Sequence, residues 1–155
     1  MGCSLRLLAV MCALSAGLQA AQAQPPAGEA TPLAKVRIGE VIGPPELAGE
    51  LLHRELAAAL GRSRVAVAAG KDEPVDFYLR PYVLASIEQN GVKVSYVVNV
   101  SDPTGRKMMR FSGEEGLPGP APDRDPWAAV TQPVARAFAA NVASAFAAWR
   151  ADNSR

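Results

Sequence analysis

The chain contains one imidazole, His53, for acid–base or metal chemistry. Glu46, Glu50 and His53 recur at helical spacing. One side of a helix would then carry two carboxylates and an imidazole, all ligand types for a divalent cation. A plainer reading competes. That side lies away from the apolar stripe, and Glu50 precedes Arg54 by four residues, the separation of an intrahelical ion pair. The solvated face is preferred, so no metal site is expected. Ser–His–acid hydrolysis would need His53 beside a serine held on a sharp turn. No Gly-x-Ser-x-Gly elbow occurs, and neither Ser63 nor Ser101 is marked as activated. Glu114-Glu115 and Asp123/Asp125 offer paired acids, but they flank a Pro/Gly-rich stretch where carboxylates are simply hydrated. Gly39 and Gly43 lack the spacing and the following lysine of a phosphate loop. The sequence therefore predicts no catalytic residues and no cofactor. A hydrolase or metal-dependent enzyme centred on His53 is the alternative.

Thiol chemistry depends on where the chain is cut. Both cysteines, Cys3 and Cys12, fall within residues 1–23. Arg6 is the only charged side chain there, Leu7 to Leu18 is apolar or small, and Ala21-Gln22-Ala23 places small residues at −3 and −1 of a cut before Gln24. That is the layout of a secretory signal peptide. The run is too short and too rich in Ala, Ser and Gly for a span of about 20 strongly apolar residues. The rival is a lipoprotein with Cys12 lipidated; Ala9-Val10-Met11-Cys12 puts bulky Met11 where a small residue is wanted. A soluble periplasmic product is expected, with a membrane-anchored lipoprotein as the alternative.

Removing 23 of 155 residues leaves 132, enough for one domain with a real core. Loss of Arg6 takes Lys plus Arg from 16 to 15, against 15 acids. The net charge is then zero with no basic block, so nucleic acid is not an expected partner. With no cysteine left, packing alone must hold the domain.

Residues 24–34 read as a flexible lead-in, 35–150 as one α+β domain and 151–155 as a tail. Alternation predicts a strand over Lys35 to Ile42, ended by Gly43-Pro44-Pro45. A helix follows over Glu46 to Leu60, stopping at Gly61, with Leu52, Leu56, Ala59 and Leu60 as its main stripe. A short strand is predicted over Val65 to Ala69. Asp76 to Gln89 and Val92 to Ser101 flank Asn90-Gly91, a strong hairpin turn signal. With those two residues as the loop, Ile87 faces Val94, Ala85 faces Tyr96 and Val83 faces Val98. Asp102-Pro103-Thr104-Gly105 reads as a four-residue loop pairing Ser101 with Arg106 and Met109 with Val98. The third meander strand is placed at 106–113, and 116–125 is read as a linker. Asp125-Pro126 starts a helix whose stripe runs Trp127, Val130, Val134, Phe138, Val142, Ala145 and Trp149, with Pro133 able to divide it near Val130. The order is β-α-β-β-β-β-α: a two-layer α+β sandwich with a mostly antiparallel sheet and both helices on one face. The first helix implies a right-handed parallel crossover.

The second sheet face is apolar for a solvent face. It carries Tyr78, Tyr82, Leu84, Val97 and Met108, interleaved with Arg80, Asn99 and Arg110. Such a patch can dock a partner protein, a second copy or a lipid, or it can be covered by residues 114–125 or the N-terminal tail.

Three segments carry a family resemblance: Tyr96 to Arg106 (YVVNVSDPTGR), Arg110 to Glu114 (RFSGE) and Asp125 to Thr131 (DPWAAVT). They resemble small uncharacterised envelope proteins of Gram-negative bacteria, many of them predicted lipoproteins. By order of elements the likeness spans roughly 35–150, but the specific motifs occupy 96–131. More remotely, the layout is similar to auxiliary lipoproteins of ABC-type lipid transport systems. The resemblance implies an α/β envelope domain that supports a transporter without catalysis, with an envelope protein or lipid as partner. It transfers no catalytic residue, and the segment before Cys12 departs from the lipoprotein pattern.

Overall fold

The computed structural model describes residues 32–120 and 124–153. The expected leader with Cys3 and Cys12, most of the lead-in and the last two residues lie outside them. The order of elements is β1 (Ala34–Ile38), α1 (Glu46–Arg62), β2 (Val65–Val67), β3 (Phe77–Glu88), β4 (Gly91–Ser101), β5 (Lys107–Pro118), a 3-10 turn (Pro126–Ala129) and α2 (Gln132–Asp152). The strands form one mixed sheet, ordered β2-β1-β3-β4-β5. β1 runs parallel to both β2 and β3, over three residue pairs each. The antiparallel β3–β4 and β4–β5 ladders cover eleven pairs each, so most of the pairing is antiparallel.

Alternation decides which face is buried. Val36 and Ile38 of β1, Leu79, Val83 and Ala85 of β3, and Val94, Val98 and Val100 of β4 turn to the helices. Leu52, Leu56 and Leu60 of α1 and Phe138, Val142 and Phe146 of α2 complete the core. Phe77, Phe146 and Trp149 stack edge-on or tilted, with centroids 5.3–5.9 Å apart, and Tyr96 meets Phe138 at 4.9 Å. The expected α2 stripe omitted Phe146 and, apart from Ala145, the alanines. Ala135, Ala139 and Ala143 are buried, a run of small residues at i, i+4 and i+8 on the helix that packs against α1.

Several boundaries differ from the sequence expectation for local reasons. β1 ends at Ile38, but the chain stays beside β3: Gly39 donates to the Leu79 carbonyl, and Ile42 forms an isolated parallel bridge with Tyr82. α1 continues through Gly61 to Arg62, and the reversal falls on Arg64, which takes φ 61°. The first hairpin loop is Gln89-Asn90, with Glu88 opposite Gly91. Ile87 therefore faces Val92 and Val83 faces Tyr96, two residues from the expected register and on the same face. Gly91, at φ 145°, carries the positive angle, and a Cβ there would strike the Leu117 carbonyl. Glu88 pairs with Lys93, diagonally, at 3.3 Å.

The second hairpin is also displaced by two, so Phe111 faces Val98 and Met109 faces Val100. A bulge sits between Val100 and Ser101, with Met108 as its extra residue. Asp102 organises this turn: its carboxylate accepts from the Thr104 and Arg106 amides and the Thr104 hydroxyl, and pairs with the Arg106 guanidinium at 3.0 Å. β5 runs to Pro118, so residues 114–118 are strand and not linker. The division of the last helix falls where Pro133 placed it. Asp125 caps the 3-10 turn by accepting from the Trp127 amide, the chain straightens at Val130 and Thr131, and α2 begins.

Candidate functional site

The sheet face opposite the helices is covered at one end and open at the other. Over β1 the loop 68–76 is fastened down. Arg37 donates to the Gly70 and Glu73 carbonyls at 2.8 and 2.6 Å, and Lys35 forms an ion pair with Glu73. The Glu73 carboxylate also accepts from the Ala69 amide, and these contacts, the Lys35 bond first, hold its pKa below the ordinary value. Arg37 further donates to the Tyr78 hydroxyl at 3.3 Å and lies 5.5 Å from that ring's centroid.

Beyond Tyr78 no described residue covers the face, and the ladder arranges it in cross-strand rows. Neighbours in register share a face. Arg80, Asn99 and Arg110 form one row across β3, β4 and β5. Ile42, Tyr82, Val97 and Ser112 form the next, and Leu84, Ser95 and Glu114 the one after. Leu84 is 65% exposed and Ile42 42%. The last two rows line a shallow depression of about 660 Å³. A second depression, about 540 Å³, lies at the Arg80 end between Tyr78, Asn99 and Lys107.

Five of the six expected contact residues, Tyr78, Tyr82, Leu84, Val97 and Arg110, thus fall on one surface. Met108 is the extra residue of the bulge and has no register partner in β4. Ile42 was missed, because a continuous first strand hides the kink that carries it alongside Tyr82. Of the covers expected, residues 114–118 do not fold over the face, since they extend the sheet's edge strand, while most of the N-terminal tail and residues 121–123 lie outside the described residues.

The other sequence candidates separate. Glu46, Glu50 and His53 line a depression of about 550 Å³ together with Glu40. Among the described residues no three His, Cys, Asp or Glu side chains are grouped to hold a metal ion, and no ion pair joins Glu50 to Arg54. Ser63 follows α1 and Ser101 ends β4; no hydrogen bond among the described residues ties either to His53. Glu115 turns to the helices and accepts from Asn141 of α2 at 2.5 Å. Tyr96 lies beside this pair, and burial first, then the Glu115 charge, push its phenol pKa up. The Tyr96 ring covers Gly113, where any Cβ would strike it. Tyr96, Glu115 and Asn141 thus pack the sheet to the helices.

No family model and no curated protein matches the chain. Solved structures resemble it in fold. Protein XCC0632 from Xanthomonas campestris, of the DUF330 family, superimposes with a TM-score of 0.55 at 12% identity, over 81% of this chain and 92% of that one. A PelC variant dodecamer from Paraburkholderia phytofirmans gives a TM-score of 0.50 at 15% identity, over 72% and 84%. At these identities the likeness is one of fold. No helix among the described residues is long and apolar enough to cross a membrane.

Proposed function

We propose that the chain is an exported, non-enzymatic binding domain of the cell envelope whose open sheet face takes a protein partner or an envelope lipid. One observation carries this reading: Ile42, Tyr82, Val97 and Leu84 lie together in two adjacent rows, bordered by Ser95, Ser112 and Glu114, and are uncovered among the described residues, whereas the opposite face is closed by two helices. An apolar patch of this kind marks a contact surface. The leader supports export, with release before Gln24 and folding over residues 35–150. Lipidation at Cys12 is the anchored alternative. The PelC dodecamer supports use of this fold in assemblies. An accessory role beside a lipid transport system is the finer form, resting on the family resemblance.

The test is a crosslinking pulldown from envelopes of cells expressing the full chain, run beside Tyr82→Asp/Leu84→Asp. The wild type should retain an envelope component that the variant loses, and light scattering on both proteins reports whether that component is a second copy. Identical recoveries would remove the face from consideration. His53→Ala should leave recovery and phenotype unchanged; loss of phenotype with binding intact would favour the enzyme instead. Intact mass of the product separates release before Gln24 from a diacylated Cys12.

A further inference from the structure

Building on the open face as a binding surface, we propose that its ligand is a single anionic amphiphile. The anionic headgroup is held by Arg80, Asn99 and Arg110, and the hydrocarbon lies over Ile42, Tyr82, Val97 and Leu84.

The cations argue first. Lys35, Arg37 and Lys93, all on this face, are each engaged by a carboxylate or a carbonyl. The Arg80 and Arg110 side chains make no ion pair or hydrogen bond among the described residues. Both flank Asn99 in the same row, so their backbones stand two strand spacings apart, about 10 Å. Two long side chains at that separation can converge on one anion. A guanidinium fork matches phosphate or carboxylate oxygens, and the Asn99 amide between them supplies a further donor. Lys107 stands at the same end, opposite Ser101.

The apolar rows then give direction. Each row lies two residues further along the strands, about 7 Å. Hydrocarbon surface therefore begins one step from the cations and runs on to Leu84. Glu114 closes the Leu84 row and disfavours an anionic head at that end. Backbone groups beneath these rows are consumed by the ladders and the Ser95 hydroxyl donates to Glu114, so apart from the Tyr82 and Ser112 hydroxyls the strip offers contact area and few donors, which suits an acyl chain better than a peptide.

The probe is dihexanoyl phosphatidylglycerol below its micelle concentration, titrated into protein purified from cells expressing the full chain and followed by calorimetry and amide shifts. Controls are dihexanoyl phosphatidylcholine, with the same chains and a zwitterionic head, and glycerol 3-phosphate, an anion without chains. Phosphatidylglycerol should bind at least tenfold more tightly than either, with shifts in β3, β4 and β5. Arg80→Gln/Arg110→Gln should remove that preference while leaving the melting temperature unchanged, and Leu84→Ser/Val97→Ser should weaken both lipids alike. Equal binding of the two lipids, glycerol 3-phosphate binding as well as phosphatidylglycerol, or an unaltered arginine variant would each overturn the proposal. If no lipid binds while Tyr82→Asp/Leu84→Asp still releases a crosslinked protein, the face is a protein interface and the lipid assignment fails alone. If neither assay responds to the face, both readings fall.

Discussion

Glu55 is the one charged side chain buried among the described residues, and its partners explain why it is tolerated. Gln132 donates to one carboxylate oxygen at 2.9 Å, and the Arg136 guanidinium lies 3.4 Å from the other. A buried carboxylate is stable only when paired and hydrogen-bonded. Here one side chain of α1 is tied to the first two turns of α2. The Gln132 hydrogen bond, opposed by burial and reinforced by Arg136, holds the Glu55 pKa below the ordinary glutamate value of 4.5. A depressed folded-state pKa means the folded state resists protonation, so the stabilisation is complete above about pH 4.5 and is lost as pH falls through the folded value. Glu55→Gln keeps an acceptor for Gln132 but removes the titration. In urea melts between pH 7 and pH 3, the wild type should lose stability towards acid and the variant should lose less of it. Some slope should remain, because Glu73 and Asp102 are depressed as well. Parallel curves would show that the carboxylate charge is not coupled to folding.

Elements were legible in the sequence to the extent that their signal was periodic. Alternation over Asp76 to Ser101 and the apolar stripe after Pro126 identified β3, β4 and α2 and the buried faces of the two strands, because a strand repeats every two residues and a helix every 3.6; on α2 the stripe shared Phe138 and Val142 with the buried face and missed Phe146. The same periodicity cannot see a shift of two. Both hairpins are displaced by that amount, which changes the register partners and, up to the bulge at Ser101, leaves the side chains on their expected faces. What decides the first register lies outside the hairpin: Gly91 sits against the Leu117 backbone of β5, a contact no local pattern encodes. Asn90-Gly91 therefore does not act as a paired left-handed turn; Gly91 has positive φ and Asn90 does not. Asn90→Ala should change stability by less than about 0.5 kcal/mol. Gly91→Ala meets both an unfavourable angle and a backbone atom, and should cost more than about 1 kcal/mol. Equal costs in chemical denaturation would restore the turn that the sequence alone suggested.

At the scale of the molecule, the described residues leave one sheet face closed and one open, and only half of that asymmetry was readable beforehand. The closed side follows from two amphipathic helices that must bury their stripes against something. The open side depends on where residues 114–118 go, and their Gly and Pro content resembles a linker as much as an edge strand. Five expected contact residues met on the open face because period-2 spacing fixes the side of a sheet. The row of Arg80, Asn99 and Arg110 required the true register, and Ile42 required the irregular path of 39–42. The two faces should also respond differently to substitution, which separates a binding surface from an undetected core. Leu79, fully buried, and Leu84, 65% exposed, sit five residues apart on β3 and point to opposite sides. Leu79→Ala removes packed atoms from the core and should cost about 2–5 kcal/mol. Leu84→Ser removes a side chain already in solvent and should stay within about 0.5 kcal/mol. Both values come from urea unfolding of the isolated protein. A large cost at Leu84 would mean that another part of the chain covers this face in solution, leaving it no room for a partner.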